Sequence, residues 1–493
     1  MMQVRPMIGW LLFPLLALPA GAQQLSGGSV PLNVPQSLDQ LLSAGQQSPY
    51  SGSVPAAKLT PGVVEISVED AINRGLKYNL GIVLSTQSTA QARAARLKEL
   101  SNLLPQLNGS LRETELKLSL IAEGFSNIPG LPLPSAIRFS NTDARVSMTE
   151  NLIDFHDIEN VRAANANIRA AGYNFDSAKE TVTLAVAASY LLVIAAESQV
   201  DAATAELRTA EALQQLAEDR ETAGLTPNVD TLRARVELQV RRQNLIEANN
   251  NLAKQRITLL RVIGLPVHQK MKLVSRVPYK PLPAVSEEDA LKRALAARPD
   301  YLALDQQVKA SELSKRAAEA ERLPSLGISG DYGVLGTHPS NVFPTWTVNA
   351  GVKIPIFQGG KVEADIRQAE AVLQQRKAQR DDLRGRIEQD VANAFLDVTA
   401  AAEQVEVARA TLDYAQQTLT QSQDRFSAGV TNNIEVIQAQ ESLANANQQY
   451  ISSLYSHNIA KVLLARALGA AEQTLRQVLG DDAAVQGTPA PAK

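Results

Sequence analysis

Few side chains in this sequence are suited to chemistry. The 493-residue chain holds no cysteine and four histidines, His156, His268, His338 and His457. Without a thiol there is no disulfide, no thiolate metal site, no cysteine nucleophile and no acceptor for lipid on an N-terminal cysteine. The histidines are scattered, and none stands at a zinc-ligand spacing. Asp154, His156 and Asp157 form a local cluster of metal-ligand types. They lie where an extended run gives way to a helix, the position that Gln358-Gly359-Gly360 takes later in the chain, so polar interface residues are expected there. Gly359-Gly360 lacks the rest of a G-x-G-x-x-G loop and follows the wrong kind of strand for dinucleotide binding. No enzyme activity, cofactor or metal site is expected.

The elements that could position side chains are mostly long helices. Lys361 to Phe426 contains no proline and a single glycine, Gly385. Along one side run Val391, Val398, Val405, Leu412, Leu419 and Phe426, with Ala394, Ala401, Ala408, Ala415 and Ser422 between them. This alternation of large and small residues in 4,3 spacing makes a narrow seam that lets a neighbouring helix approach closely. At 1.5 Å per residue the helix would be about 100 Å long. A globular core does not need that length, whereas a stave crossing a wide space does.

Composition supports helix on helix packing: 45% hydrophobic residues but only 4% aromatics. The 48 Lys and Arg against 51 Asp and Glu leave no basic field for nucleic acid. Met1 to Arg5, an apolar run from Met7 to Leu18 and Ala20-Gly21-Ala22 read as a cleavable secretory signal. No later stretch reads as a membrane-spanning helix, so any membrane insertion must use strands.

The sequence matches itself. Ser67-Val68-Glu69-Asp70-Ala71 answers to Ser286-Glu287-Glu288-Asp289-Ala290, Leu104-Pro105 to Leu323-Pro324, Gly224 to Gly429 and Ile263-Gly264 to Leu468-Gly469. Val186, Val193, Val200 and Leu207 repeat the seam, with Ala196, Ala203, Ala210 and Ala217 between turns. Ordered matches in caps, prolines, glycines and seam mean two copies of one unit. Each Ser opens a helix of roughly 36 residues that ends at the Leu-Pro pair. Two extended runs follow, then a long helix, a Gly turn and a second helix of roughly 35 residues.

In the second copy the run Ser325 to Val334 alternates Leu326, Ile328, Tyr332 and Val334 with small or polar residues, and Trp346 to Ile356 does the same. Such alternation over about ten residues with an aromatic near one end is the signature of a tilted transmembrane strand, with a hairpin of a soluble sandwich as the lesser alternative. The first copy's runs, Leu107 to Leu120 and Thr142 to Ile153, are less regular and joined by a longer connector with Pro129, Pro132 and Pro134, an expected outer loop. Four strands cannot close a barrel, and open sheet edges are not tolerated in lipid, so several chains must contribute. The boundaries are 1–22 signal, 23–62 a Pro/Gly/Ser/Gln-rich extension, 63–264 first repeat, 265–285 linker, 286–469 second repeat and 470–493 tail.

From Val68 to Gly469 the chain resembles the TolC-like outer-membrane efflux proteins, the outer membrane factors. The motifs that carry this are the duplicated Asp-Ala start with Arg298-Pro299-Asp300, the Leu-Pro strand entries, Ile354-Pro355-Ile356-Phe357-Gln358-Gly359-Gly360, and Arg425-Phe426-Ser427-Ala428-Gly429-Val430. The resemblance implies an α+β membrane protein: a homotrimer with a 12-stranded barrel, four strands per chain, continued by a periplasmic helical tunnel with an equatorial belt. It implies an exit duct for small molecules such as drugs, metals or other toxic compounds. The implied partners are outer-membrane lipid, a periplasmic adaptor and an inner-membrane pump of RND, ABC or MFS type. A secreted coiled-coil scaffold or adhesin is the alternative, which leaves the strands unused.

Within this resemblance Asp230 and Glu435 fall where the family carries acid at its periplasmic constriction. With Asn432 and Asn433 they are the candidate aperture, an acidic ring that would favour cations; helix-dipole compensation is the other reading. Phe426, Thr431 and Gln438 stand where the best-known member has Tyr, Arg and Asp, so a lock of that composition is not expected. The turns Gly224-Leu225-Thr226 and Gly429-Val430-Thr431 are candidate adaptor contacts, or ordinary turns.

Overall fold

The computed structural model describes residues 48–54, 59–124, 134–274 and 286–469. The signal, most of the extension, Pro129 and Pro132, linker residues 275–285 and the tail lie outside the described residues. All described residues belong to one unit, 34–493.

The element order runs twice. First come β1 (Val64–Ile66), α1 (Val68–Tyr78), α2 (Leu80–Ser101), β2 (Gln106–Ser119), β3 (Ala136–Ile153), α3 (Phe155–Thr222) and α4 (Asn228–Val262). Then follow β4 (Met271–Leu273), α5 (Glu287–Ala297), α6 (Pro299–Ala320), β5 (Ser325–His338), β6 (Asn341–Lys353), α7 (Lys361–Ser427) and α8 (Asn433–Ala467).

The opening helices depart from the continuous 36-residue rods read from the sequence. Each is broken after 11 residues, at Asn79 and at Arg298. Arg298 precedes Pro299, whose ring disfavours helical backbone in the residue before it, and it sits at ψ 118°. Asn79 leaves the helix at ψ 137° because its side chain has a better use: Oδ1 accepts from the Gly81 amide 2.9 Å away and caps α2. Ser67 closes a capping box with Asp70, and Ser286 accepts from the Asp289 amide.

α1 packs on α3 with no space to spare. A Cβ on Gly75 would stand 2.5 Å from Cγ2 of Val186, which is fully buried. Around 181–196, α3 is almost wholly buried, and the Tyr190 hydroxyl donates to the Ile66 carbonyl at 3.1 Å. A window of α3 therefore does have the length and hydropathy of a membrane span, against the expectation that none would, but 78% of it is buried inside the protein. Its apolar surface serves helix packing in the belt where α1, α6 and α8 meet it. A parallel pair of strands, β1 on β4, joins Val64 to Met271 beside this belt.

The sheet order is β2-β3-β5-β6, all antiparallel, with β2 and β6 at its edges. β3 begins at Ala136, six residues before the expected Thr142, while β6 spans Asn341–Lys353 and leaves Ile354 and Ile356 beyond its end.

The seam packs within the chain. Val391, Ala394, Val398 and Ala401 of α7 form one buried cluster with Ala290 and Ala294 of α5 and Ala460, Leu464 and Ala467 of α8. Val405 and Ala408 are buried next along the helix, and Leu412 is half-buried. Farther on, Leu419 and Phe426 meet Leu213 of α3 and Val436, Ala439 and Leu443 of α8.

Candidate functional site

The two hairpin tips are built alike. α3 and α7 each end in Ala-Gly, with Gly224 at φ +71° and Gly429 at φ +76°, the left-handed region where a side chain is strained. The Leu225 amide reaches back to the Arg220 carbonyl at 2.9 Å, and Val430 to Arg425 at 3.0 Å, which satisfies carbonyls that a helix end leaves free. Leu225 and Val430 consequently project into solvent, 70% and 68% exposed. Thr226 follows Leu225 half-buried, whereas Thr431 donates its hydroxyl to the Glu435 carboxylate at 2.6 Å.

The candidate aperture residues have unequal surroundings. Asp230 is 7% exposed and ion-paired to Arg233 at 3.1 Å. Glu435 is more open, its carboxylate 3.2 Å from Arg425 Nε. Asn432 caps α8 by accepting from the Ile434 amide. Asn433 is fully buried and donates to the Asp230 carbonyl at 2.8 Å, so it ties one hairpin tip to the other.

A second tie between the hairpins uses a residue that sequence reasoning passed over. The Arg220 guanidinium lies 4.8 Å from the centre of the Phe426 ring, and its Nη1 donates to the Phe426 carbonyl. The duplication held the signal, since Arg220 and Arg425 both stand four residues before a tip glycine. Arg235 of α4 braces its own hairpin by donating to Glu218 of α3, and hydrogen bonds from Gln214 and Arg235 hold the Glu218 carboxyl below the usual range.

Farther from the tips Arg241 is 6% exposed, between Glu237 at 2.6 Å and Glu206 at 3.2 Å. Burial pushes the Glu206 carboxyl up, opposed by the Arg241 charge. A cavity beside this cluster is lined by Gln416, Gln440 and Asn447, and the buried Gln440 amide has no hydrogen-bond partner among the described residues. The polar cluster first noticed in the sequence is structural in its contacts. Asp154 caps α3, accepting from the amides of His156 and Asp157, and the His156 ring contacts the Ala317 carbonyl and the Asn160 amide. Among the described residues no group of three or more His, Asp or Glu is placed to hold a metal ion.

The sheet has two unlike faces. Strand pairing puts Val146, Tyr332 and Trp346 in one row, and Met148, Gly330 and Val348 in the next, on one side. Leu107 and Leu111 of β2 share that side. The other side carries Ser147, Asp331 and Thr347 in one row and Ser329 and Asn349 in another. There Arg145 pairs with Asp143 at 2.6 Å and Asp331 at 3.2 Å. An apolar face backed by a charged one suits a wall between lipid and water.

A family model described as "Outer membrane efflux protein" matches residues 83–265 and 290–470. The probable outer membrane lipoprotein SilC of Salmonella typhimurium is 24% identical over 457 residues, covering 89% of this chain and 93% of that protein. The pyoverdine export outer membrane protein OpmQ of Pseudomonas putida is 25% identical over 412 residues, covering 81% and 84%. Among solved structures, the Campylobacter jejuni CmeC outer membrane channel aligns with a TM-score of 0.73 at 16% identity, over 86% of this chain and 92% of that one. CusC gives 0.70 at 20% identity, over 86% and 97%.

Proposed function

The chain belongs to the outer membrane efflux protein family, and we propose that three copies of it form the exit duct of a tripartite efflux or secretion system. It is a channel of the Gram-negative outer membrane that extends into the periplasm, not an enzyme. The observation that carries the trimer is the sheet. Its four strands end in open edges at β2 and β6, one face is apolar, and such a sheet is stable in lipid only when closed by others like it. Three copies supply 12 strands, an even number within the range of outer-membrane barrels.

The helices extend the duct. α3 and α7, at 68 and 67 residues, are each about 100 Å long. Leu225 and Val430 at the tips are the contacts for a periplasmic adaptor, through which an inner-membrane pump delivers substrate. At the aperture, Glu435, half-buried and paired with Arg425, is the more open acid and the one that meets permeating cations, while Asp230 holds Arg233 and receives Asn433 on its carbonyl. The purified protein should have trimer mass in detergent and form ion channels in planar bilayers. Block by divalent cations should weaken in the double variant Asp230→Asn, Glu435→Gln. A monomer that forms no channels would overturn the duct and return the coiled-coil scaffold; unchanged block would overturn the acidic aperture alone.

A further inference from the structure

The β2–β3 hairpin outgrows the sheet. β2 pairs with β3 without a break from Gln106↔Thr149 to Ser119↔Ala136. β5 accompanies β3 only as far as Thr142↔Gly336, and the β5–β6 turn follows at once. The Ser140 hydroxyl still donates to the Thr337 carbonyl near the end of β5, so residues 116–119 and 136–139 are the part that projects past the shorter hairpin with no strand beside it among the described residues.

Because the register is unbroken, side chains can be followed along each face by parity. The face that carries Leu107, Leu111, Val146 and Met148 continues upward as Glu115, Lys117, Arg138 and Ser140, with Arg138 ion-paired to Glu115. The face that carries Ser110, Arg145 and Ser147 continues upward as Leu116, Leu118, Ile137 and Phe139. Leu335 and Phe343, at the top of the shorter hairpin, lie on this same side. Polarity therefore changes sides at the height of Thr142. Below it the apolar side meets lipid. Above it the charged side points outward and the apolar side points over the lumen. Phe139 and Leu116 are each 43% exposed in the single chain, so the protomer leaves this cluster half-covered.

We propose that the three β2–β3 hairpins of the trimer lean over the barrel mouth and pack Leu116, Leu118, Ile137 and Phe139 against one another, forming an apolar closure at the extracellular end. This rests on the trimeric barrel described above. The occupant of each apolar face is the same face of the two other copies, and the contact is continuous with the strand-edge interface that closes the barrel. The dimensions agree. Twelve strands about 4.8 Å apart and tilted about 40° make a barrel of about 12 Å radius. Four free residue pairs at about 3.3 Å per residue reach about 13 Å, about the barrel radius and so enough to meet on the axis. A constriction lined by such side chains excludes ions by dewetting while the hairpins are packed and passes them in the intervals when thermal motion parts the three hairpins.

The absence of cysteine makes the test direct. Ile137→Cys, Leu118→Cys and, as a reference in the barrel wall, Ser147→Cys are made separately in the full chain and oxidised with copper phenanthroline in detergent. Wall positions in a barrel of this size are about 21 Å apart between copies, whereas a disulfide needs Cα atoms within about 7 Å. Ile137→Cys or Leu118→Cys should give a disulfide-linked dimer on a non-reducing gel, and Ser147→Cys should not. A trimer that conducts but is not cross-linked at either hairpin position overturns the closure, because its apolar faces then do not meet one another. A protein that stays monomeric overturns the barrel as well.

Discussion

Replacing Arg220 with methionine removes a guanidinium that stacks on the Phe426 ring and donates to the Phe426 carbonyl, while keeping most of the apolar stem. A cation over a ring at a half-buried site contributes about 1 kcal/mol, and a hydrogen bond from a charged donor about 1.5–3 kcal/mol. Against this, Nε of Arg220 is buried without a partner among the described residues, and removing it recovers about 1–2 kcal/mol. The net loss is about 1.5 kcal/mol, roughly a tenfold rise in the population of tips whose hairpins have come apart. Phe426→Leu removes the ring and leaves the carbonyl, so a double-mutant cycle isolates the ring contact, with an expected coupling of about 1 kcal/mol or about fivefold. Amide exchange in the first turns of α4 and α8 measures the opening, and the frequency of channel openings in a bilayer gives its functional counterpart. Exchange unchanged within about twofold, or single-variant effects that simply add, would refute the idea that Arg220 staples the tips.

Three further outcomes are expected. Ala401→Leu or Ala408→Leu forces a large side chain into the buried seam of α7, costs about 1–3 kcal/mol and should lower the yield of assembled channel; wild-type yield would mean that close packing at this seam does not limit assembly. Gly75→Ala drives a methyl group against Val186 and should lower the midpoint of thermal unfolding by an amount matching about 1–3 kcal/mol. Burial would raise the Asp300 carboxyl, but the hydrogen bonds and charge of Arg298 outweigh it and leave it below the ordinary carboxylate range. A depressed carboxylate contributes stability above its unfolded pKa of about 3.9 that is lost as pH falls through the folded value. Asp300→Asn should therefore cost about 1–3 kcal/mol at neutral pH and flatten the decline in unfolding temperature below about pH 4.

The seam was legible because each large residue recurs at the helical repeat and no proline interrupts it. The tip glycines were legible because a chain that reverses between two helices needs a left-handed residue. The break at Asn79 was not, since a residue that caps one helix by leaving another looks like an ordinary polar position on a longer one. Arg298-Pro299 did announce its break, and the periodicity on either side masked it. β3 was read six residues short because the alternation loses phase at Asn141, Thr142 and Asp143, where both faces are polar. Arg220 escaped because its partner is on the other hairpin, and only the duplicated spacing before Gly224 and Gly429 marks it. The surroundings of Asp230 were equally hidden: type and position place a carboxylate at a helix start, but they do not tell that Arg233 and Asn433 will enclose it.

The parallel pairing of β1 with β4 bears on how the chain reaches its native state. Val64 finds Met271 only after everything between them has been made and brought round, so this small sheet closes a loop of about 200 residues. Contacts so distant in sequence form late and slowly, because the entropy of closing the loop must be lost before the pairing rewards it. The hairpins of α3 with α4 and of α7 with α8 are local and can zip early. The apolar stretch of α3 near Val182 and Val186 is covered by α1, the element next to β1 in sequence, so a chain whose start has not yet docked leaves that stretch open to aggregation.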